Sequence, residues 1–125
     1  MVKKHLLFIC TANVCRSPTA ASLFHNSQSY EAKSAGTHLV PGYENAILVD
    51  KNMIDWADEI FVMSEKEDHH LSYLKSHFSL HNKKMHILDI PNVYDTSITQ
   101  EKTELIHILR HKLSPYLLSS CEYAL

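Results

Sequence analysis

A chain of 125 residues, 45% hydrophobic and 21% charged, suits one soluble domain spanning residues 1–125 around a single core. A formal charge of -2 leaves no basic footprint, so nucleic acid is not an expected partner. Three cysteines, an odd number, make no disulfide framework and point to a reducing cytoplasm; no apolar run has the length of a signal-peptide core or a membrane span.

In chain order, Leu6 to Cys10 reads as a continuous buried strand. A first helix is expected from Pro18 to about Gln28, with Ser17 as N-cap and Pro18 preset at the first helical position. Tyr30, Ala32 and Ser34 alternate as a second strand, closed by Gly36. A helix is then expected from roughly Tyr43 to Trp56, with Ala46, Ile47, Val49, Met53 and Ile54 near one face. Glu59 to Met63 is a third strand, and Ser64 caps a helix from Glu65 to about His77, with Glu67 completing a capping box. Lys84 to Ile90 is a fourth strand stopped by Pro91, and Leu105, Ile106, Leu109, Leu113 and Leu117 mark the last helix. Unbroken apolar strands alternating with helices predict an α/β fold, a four-stranded parallel sheet covered by helices on both faces. Ligands in such sheets bind beyond the carboxyl ends of the strands, near a topological switch point, and Cys10 lies at that end of strand one.

The segment Cys10-Thr11-Ala12-Asn13-Val14-Cys15-Arg16-Ser17-Pro18 follows, a cysteine and an arginine bracketing five residues between strand and helix. A loop of that length can curl so that the backbone N–H groups from Thr11 to Cys15 point inward as an anion-binding nest. The next helix adds the unpaired donors and positive end of its dipole. Arg16 can clamp two oxygens of a phosphate-like group, because its planar fork matches them. Cys10 then faces the anion in an electropositive pocket suited to a thiolate nucleophile. An inert core cysteine with Arg16 on the surface is the bland alternative, and the order of strand, loop, cap and arginine argues against it.

These residues, with Thr19-Ala20 after them, resemble the low-molecular-weight protein tyrosine phosphatase family, and more closely a short bacterial branch of predicted tyrosine phosphatases. Lys33-Ser34-Ala35-Gly36-Thr37, Trp56 to Met63 and Leu88-Asp89-Ile90-Pro91 carry the same resemblance in the expected order. It implies attack of Cys10 on phosphorus, a cysteinyl-phosphate intermediate, and release of phosphate by water, with no cofactor and no metal. By resemblance, Ser17 hydrogen-bonds the thiolate and Asn13 braces the loop. The implied substrate is a phosphorylated protein or small aryl phosphate, and no membrane partner is implied; the oligomeric state stays open.

The leaving group needs a proton, and the resemblance puts its donor, an aspartate, in the loop after the fourth strand. That position holds Asn92, an amide. Asp95, on the far side of Pro91, and Asp89, at the strand tip, are the replacement candidates; otherwise the protein turns over slowly or only binds phosphate. Asp95 is slightly favoured, although Asp95-Thr96-Ser97 is also rich in turn-forming types. Tyr94 matches an aromatic wall for a substrate ring, with Tyr43 as an opposing wall. Ala12 stands where the wider family has glycine and would cost about 1 kcal/mol if that position needs positive φ.

Cys15 is close enough in sequence to close a reversible disulfide with Cys10, or it is a small buried hydrophobe. Cys121 is expected to be incidental. Histidine is abundant, with ten copies including His69-His70; His77 and His81, four apart as two ligands on one helix face would be, read as a solvated face and not as a metal site, and Glu65 to Asp68 as charges complementing a helix dipole. An arsenate reductase uses a similar loop but also a downstream cysteine pair, and no cysteine lies between Arg16 and Cys121. A non-catalytic phosphate or phosphoprotein binder, motivated by Asn92, and a Cys10–Cys15 redox sensor complete the alternatives.

Overall fold

The computed structural model describes residues 2–117. Cys121 lies outside the described residues. Four strands, β1 (Lys4–Cys10), β2 (Tyr30–Gly36), β3 (Glu59–Val62) and β4 (Lys84–Ile87), form one parallel sheet in the order β2-β1-β3-β4. Period-2 alternation divides β1 between two cores. Leu6, Phe8 and Cys10 face α1 (Arg16–Ser22), α4 (Thr99–Lys112) and α5 (Ser114–Leu117) through Ala20, Phe24, Leu105, Leu109 and Leu117. Leu7 and Ile9 face α2 (Lys51–Trp56) and α3 (His70–His77) through Ile54 and Leu74. Both faces are thus covered, as continuous apolar strands require. The chain leaves β1 for β2 on one side and later returns to β3 on the other, so the switch point lies beside Cys10.

Four helices differ from the sequence pattern, each for a tertiary reason. α1 begins at Arg16, with Cys15 rather than Ser17 at the N-cap; Pro18 still falls in the first turn, where its missing N–H costs nothing. Only Lys51–Trp56 of the expected 43–56 helix forms, capped by the Asp50 carboxylate accepting from Met53 N–H at 2.9 Å. The preceding residues are instead tied to the sheet edge: Gly36 N–H donates to Ile47 O at 2.8 Å and Val49 N–H to Gly36 O at 2.9 Å. α3 begins at His70, not Glu65. Ser64 does accept from Glu67 N–H, at 3.2 Å, but His69 at φ 54° ends that turn and directs His70 inward. The last helix divides at Leu113, just before Pro115, whose ring cannot donate to the preceding turn. β4 ends at Ile87, yet Leu88 N–H and Ile90 N–H still donate to Val62 O and Met63 O at 2.9 and 2.7 Å, with Asp89 between them at φ 59°.

Candidate active site

Beyond Cys10 the chain turns sharply, and Asn13 takes the left-handed conformation at φ 57° that the turn demands. Ala12 has no positive φ, so the strain expected there is absent. The turn lies directly on β2. A Cβ at Gly36 would sit 2.6 Å from Thr11 O and 2.9 Å from Asn13 N, so only glycine admits the loop this close. Thr37 N–H and His38 N–H, donating to Cys10 O and Thr11 O at 3.0 and 2.9 Å, fix its base.

The Cys10 thiol is free and buried. Asn13 N–H donates to its sulfur at 3.2 Å, and Ser17 Oγ lies 3.0 Å away. Ser17 Oγ accepts from Asn13 Nδ2 at 3.0 Å and donates to Ala35 O at 3.3 Å. Its single hydroxyl proton can turn from Ala35 O to the sulfur when the sulfur carries charge, adding a charge-assisted donor. Asn13 Nδ2 also donates to Ser34 Oγ at 2.9 Å, and Asn13 Oδ1 accepts from Ile47 N–H at 2.8 Å. Sequence reasoning therefore named Asn13 and Ser17 but misread Ser17 as a cap, and it missed Ser34 and the Ile47 amide as their partners.

Arg16 is only 2% exposed. Its Nη1 donates to Asp68 Oδ2 at 2.8 Å and to Ile90 O at 2.9 Å, and its Nη2 to Thr11 Oγ1 at 3.4 Å. Three of the five guanidinium N–H groups are thus engaged, and the remaining two can meet an anion. Thr11 is held from the other side by His70, whose Nε2 lies 2.9 Å from Oγ1. Ser64 N–H donates to His70 Nδ1 at 3.0 Å, so the ring is neutral with its proton on Nε2. Burial, and then the charge of Arg16, lowers the His70 pKa from 6.5 to about 4. His70 is therefore a buried brace for Thr11, and Asp68, read from sequence as complementing a helix dipole, is paired with Arg16. Asp68 lies in the loop after β3 and His70 is the first residue of α3, and the sheet order places both beside the loop after β1. The sequence signal was only their position after a strand neighbouring β1.

Val14 and Asn13 line a cleft of about 490 Å³ with Pro18, Ser34, Tyr43 and Ile47. Tyr43 is 53% exposed at this cleft, whereas Tyr94 packs partly into the core and lines a separate groove with Thr103, Glu104, His107 and Ile108 of α4. Cys15 is half-buried and unbridged; Thr96 Oγ1 donates to its sulfur at 3.5 Å. Asp89 and Asn92 are exposed. Asp95 is also exposed, and its Oδ1 accepts from Ser97 N–H at 2.9 Å and Ser97 Oγ at 2.6 Å, which lowers its pKa. Among the described residues no cluster of His, Cys, Asp and Glu is arranged to hold a metal, and no helix is long and apolar enough to cross a membrane.

Residues 5–53, which carry β1, the Cys10–Arg16 loop, α1 and β2, match the family model for low molecular weight phosphotyrosine protein phosphatase. That segment, less than half of the chain, is where the likeness to the family lies. A protein-arginine-phosphatase of Geobacillus stearothermophilus is 34% identical over 79 residues, 47% of this chain and 53% of that protein. The match thus spans about half the length of that relative. The fold is that of the YwlE arginine phosphatase from Geobacillus stearothermophilus, at TM-score 0.69 and 24% identity over 93% of this chain and 94% of that one. YfkJ from Bacillus subtilis superposes at TM-score 0.68 and 21% identity, covering 95% of both chains. SP-PTP, a low molecular weight protein tyrosine phosphatase from Streptococcus pyogenes, gives 0.66 and 20% over 97% of both. Cys10 to Pro18 falls within the matched segment and leaves the carboxyl end of β1.

Proposed function

We propose that the chain is a cysteine-dependent phosphomonoesterase of phosphotyrosine or another aryl phosphate. The observation that carries this reading is the Cys10 sulfur, faced by Asn13 N–H and Ser17 Oγ, on a loop whose Arg16 keeps two N–H groups for an anion. Cys10 Sγ attacks phosphorus, the S–P bond forms as the P–O bond breaks, and the leaving oxygen takes up a proton. Water then attacks the cysteinyl-phosphate, the S–P bond breaks, and phosphate and the thiolate are released. The amides from Thr11 to Cys15 and Arg16 act on the equatorial oxygens, where fixed donors cost no reorganisation during the reaction.

Placement supports two further assignments within this reading. Asp89 is favoured over Asp95 as proton donor: it directly precedes Ile90, whose carbonyl holds Arg16, while the Asp95 carboxylate is bound into its own turn. Tyr43, exposed at the cleft shared with Asn13 and Val14, is favoured over Tyr94 as the aromatic wall.

Steady-state hydrolysis of para-nitrophenyl phosphate under reductant, beside Cys10→Ser, tests the reading. Turnover should fall by about 10⁴-fold or more in the variant. Equal rates in the two proteins would remove the enzymatic reading and leave phosphate binding. Because a relative 34% identical over 79 residues is named a protein-arginine-phosphatase, kcat/KM on a phosphotyrosine peptide is to be compared with that on a phosphoarginine peptide. Preference for the latter would overturn the aryl assignment while keeping the nucleophile.

A further inference from the structure

We propose that Asp68 is a positioning residue for Arg16, acting as the acceptor that aims the guanidinium; the inference rests on reading the Cys10–Arg16 loop as the phosphate site. Arg16 is buried, so its charge requires a partner and its fork has few free orientations. Asp68 Oδ2 and Ile90 O take both hydrogens of Nη1, at 2.8 and 2.9 Å. They occupy one end of the planar group and leave donors at Nε and Nη2 for two phosphate oxygens.

The acceptor is itself held. Asp68 follows the turn in which Ser64 Oγ accepts from Glu67 N–H, and His69 at φ 54° closes that turn. Ser64 N–H fixes His70 Nδ1, and His70 Nε2 fixes Thr11 Oγ1, which in turn accepts from Arg16 Nη2. Asp68 and His70 therefore reach the arginine from one short segment by two routes, one direct and one through Thr11. With Asp68 gone, the guanidinium keeps, among the described residues, the Nη1 bond to Ile90 O and the long 3.4 Å bond from Nη2 to Thr11 Oγ1, and loses its one charged acceptor.

The test uses the full-length protein, reading kcat and KM for para-nitrophenyl phosphate and calorimetric binding of orthovanadate, a mimic of the transferring phosphoryl group. Asp68→Ala should lower kcat and vanadate affinity by about 10–100-fold, the cost of a misplaced group. Asp68→Asn, which keeps a side-chain oxygen for Nη1, should recover most of both. A lowered melting temperature with unchanged kcat and vanadate affinity in Asp68→Ala would overturn the proposal, as would equal losses in the two variants. Wild-type protein that neither turns over nor binds vanadate would instead remove the phosphate-site reading itself. Wild-type protein that binds vanadate without turnover leaves the affinity comparison to decide on Asp68.

Discussion

Between Cys10 and Ser17, side chains and backbone are bound to one another and to segments around Ser34, Ile47, Asp68 and Ile90. Asn13 alone reaches Cys10, Ser17, Ser34 and Ile47, and Arg16 reaches Asp68 and Ile90. The loop from Leu88 to Ile98 borders the same sheet edge and is built otherwise. Asp89, Asn92, Val93 and Asp95 are exposed, and the Asp95 carboxylate serves Ser97 two residues on. In the proposed reaction the first loop supplies nucleophile and charge stabilisation, and the second supplies the proton. The difference teaches that the electrostatic half of the chemistry is fixed in the resting fold, where preorganisation has its largest effect. Proton delivery instead depends on an exposed side chain, and a departing group that needs no proton makes no use of it.

The largest effect expected away from the nucleophile breaks the second half alone. Asp89→Asn should reduce kcat/KM on a phosphotyrosine peptide by about 10²-fold, the lower end of general-acid contributions. The good leaving group of para-nitrophenyl phosphate should make its loss far smaller. Asp95→Asn should leave both substrates nearly unchanged, and Asn92→Asp should raise only the peptide rate. Equal losses on both substrates in Asp89→Asn would show that this side chain supports the site and does not deliver the proton.

A smaller effect tests the first half through backbone contact. Gly36→Ala places a methyl 2.6 Å from Thr11 O and 2.9 Å from Asn13 N, both main-chain atoms that cannot rotate away. The loop must shift by some tenths of an ångström, and turnover on both substrates should fall together by about tenfold. A variant with a lowered melting temperature but normal kcat would mean that the loop tolerates displacement, contrary to the contrast drawn above.

The same two halves explain what could be read from the residues. β1 and β3 are short apolar runs, and the Cys10 to Arg16 spacing falls at the end of one of them, so the sheet and the position of the proposed nucleophile are legible. Asn13 and Ser17 carry polar groups close enough in sequence to Cys10 to suggest their contacts. Residues 43–49 have a helical apolar pattern, but Asn13 Oδ1 and Gly36 draw their amides and carbonyls into tertiary hydrogen bonds, which outweigh a weak local propensity. Asp68 and His70 sit in a stretch of Glu, Lys, Asp and His that has the composition of a solvent-facing helix start. The burial of His70 and the half-buried pairing of Asp68 with Arg16 follow only from the sheet order, which sets the chain after β3 against the loop after β1.

His70 gives the finest probe of the first loop, through pH and without substrate. Folding lowers its pKa from 6.5 to about 4, first by burial and then by the nearby charge of Arg16, with Asp68 and Glu65 opposing. Between those values the unfolded chain binds the proton more readily, so the stability contributed by neutral His70 is complete above pH 6.5 and declines as pH falls toward 4. The decline can approach about 1.4 kcal/mol per pH unit, the limit for one proton. His70→Gln removes the titration while keeping a donor for Thr11. Urea unfolding of both proteins from pH 7 to pH 4 should therefore show the wild-type advantage shrinking as acid is added. A constant difference across that range would mean that His70 binds its proton as readily folded as unfolded, and that acceptance from Ser64 N–H does not hold the ring neutral at the centre of the first loop's bracing.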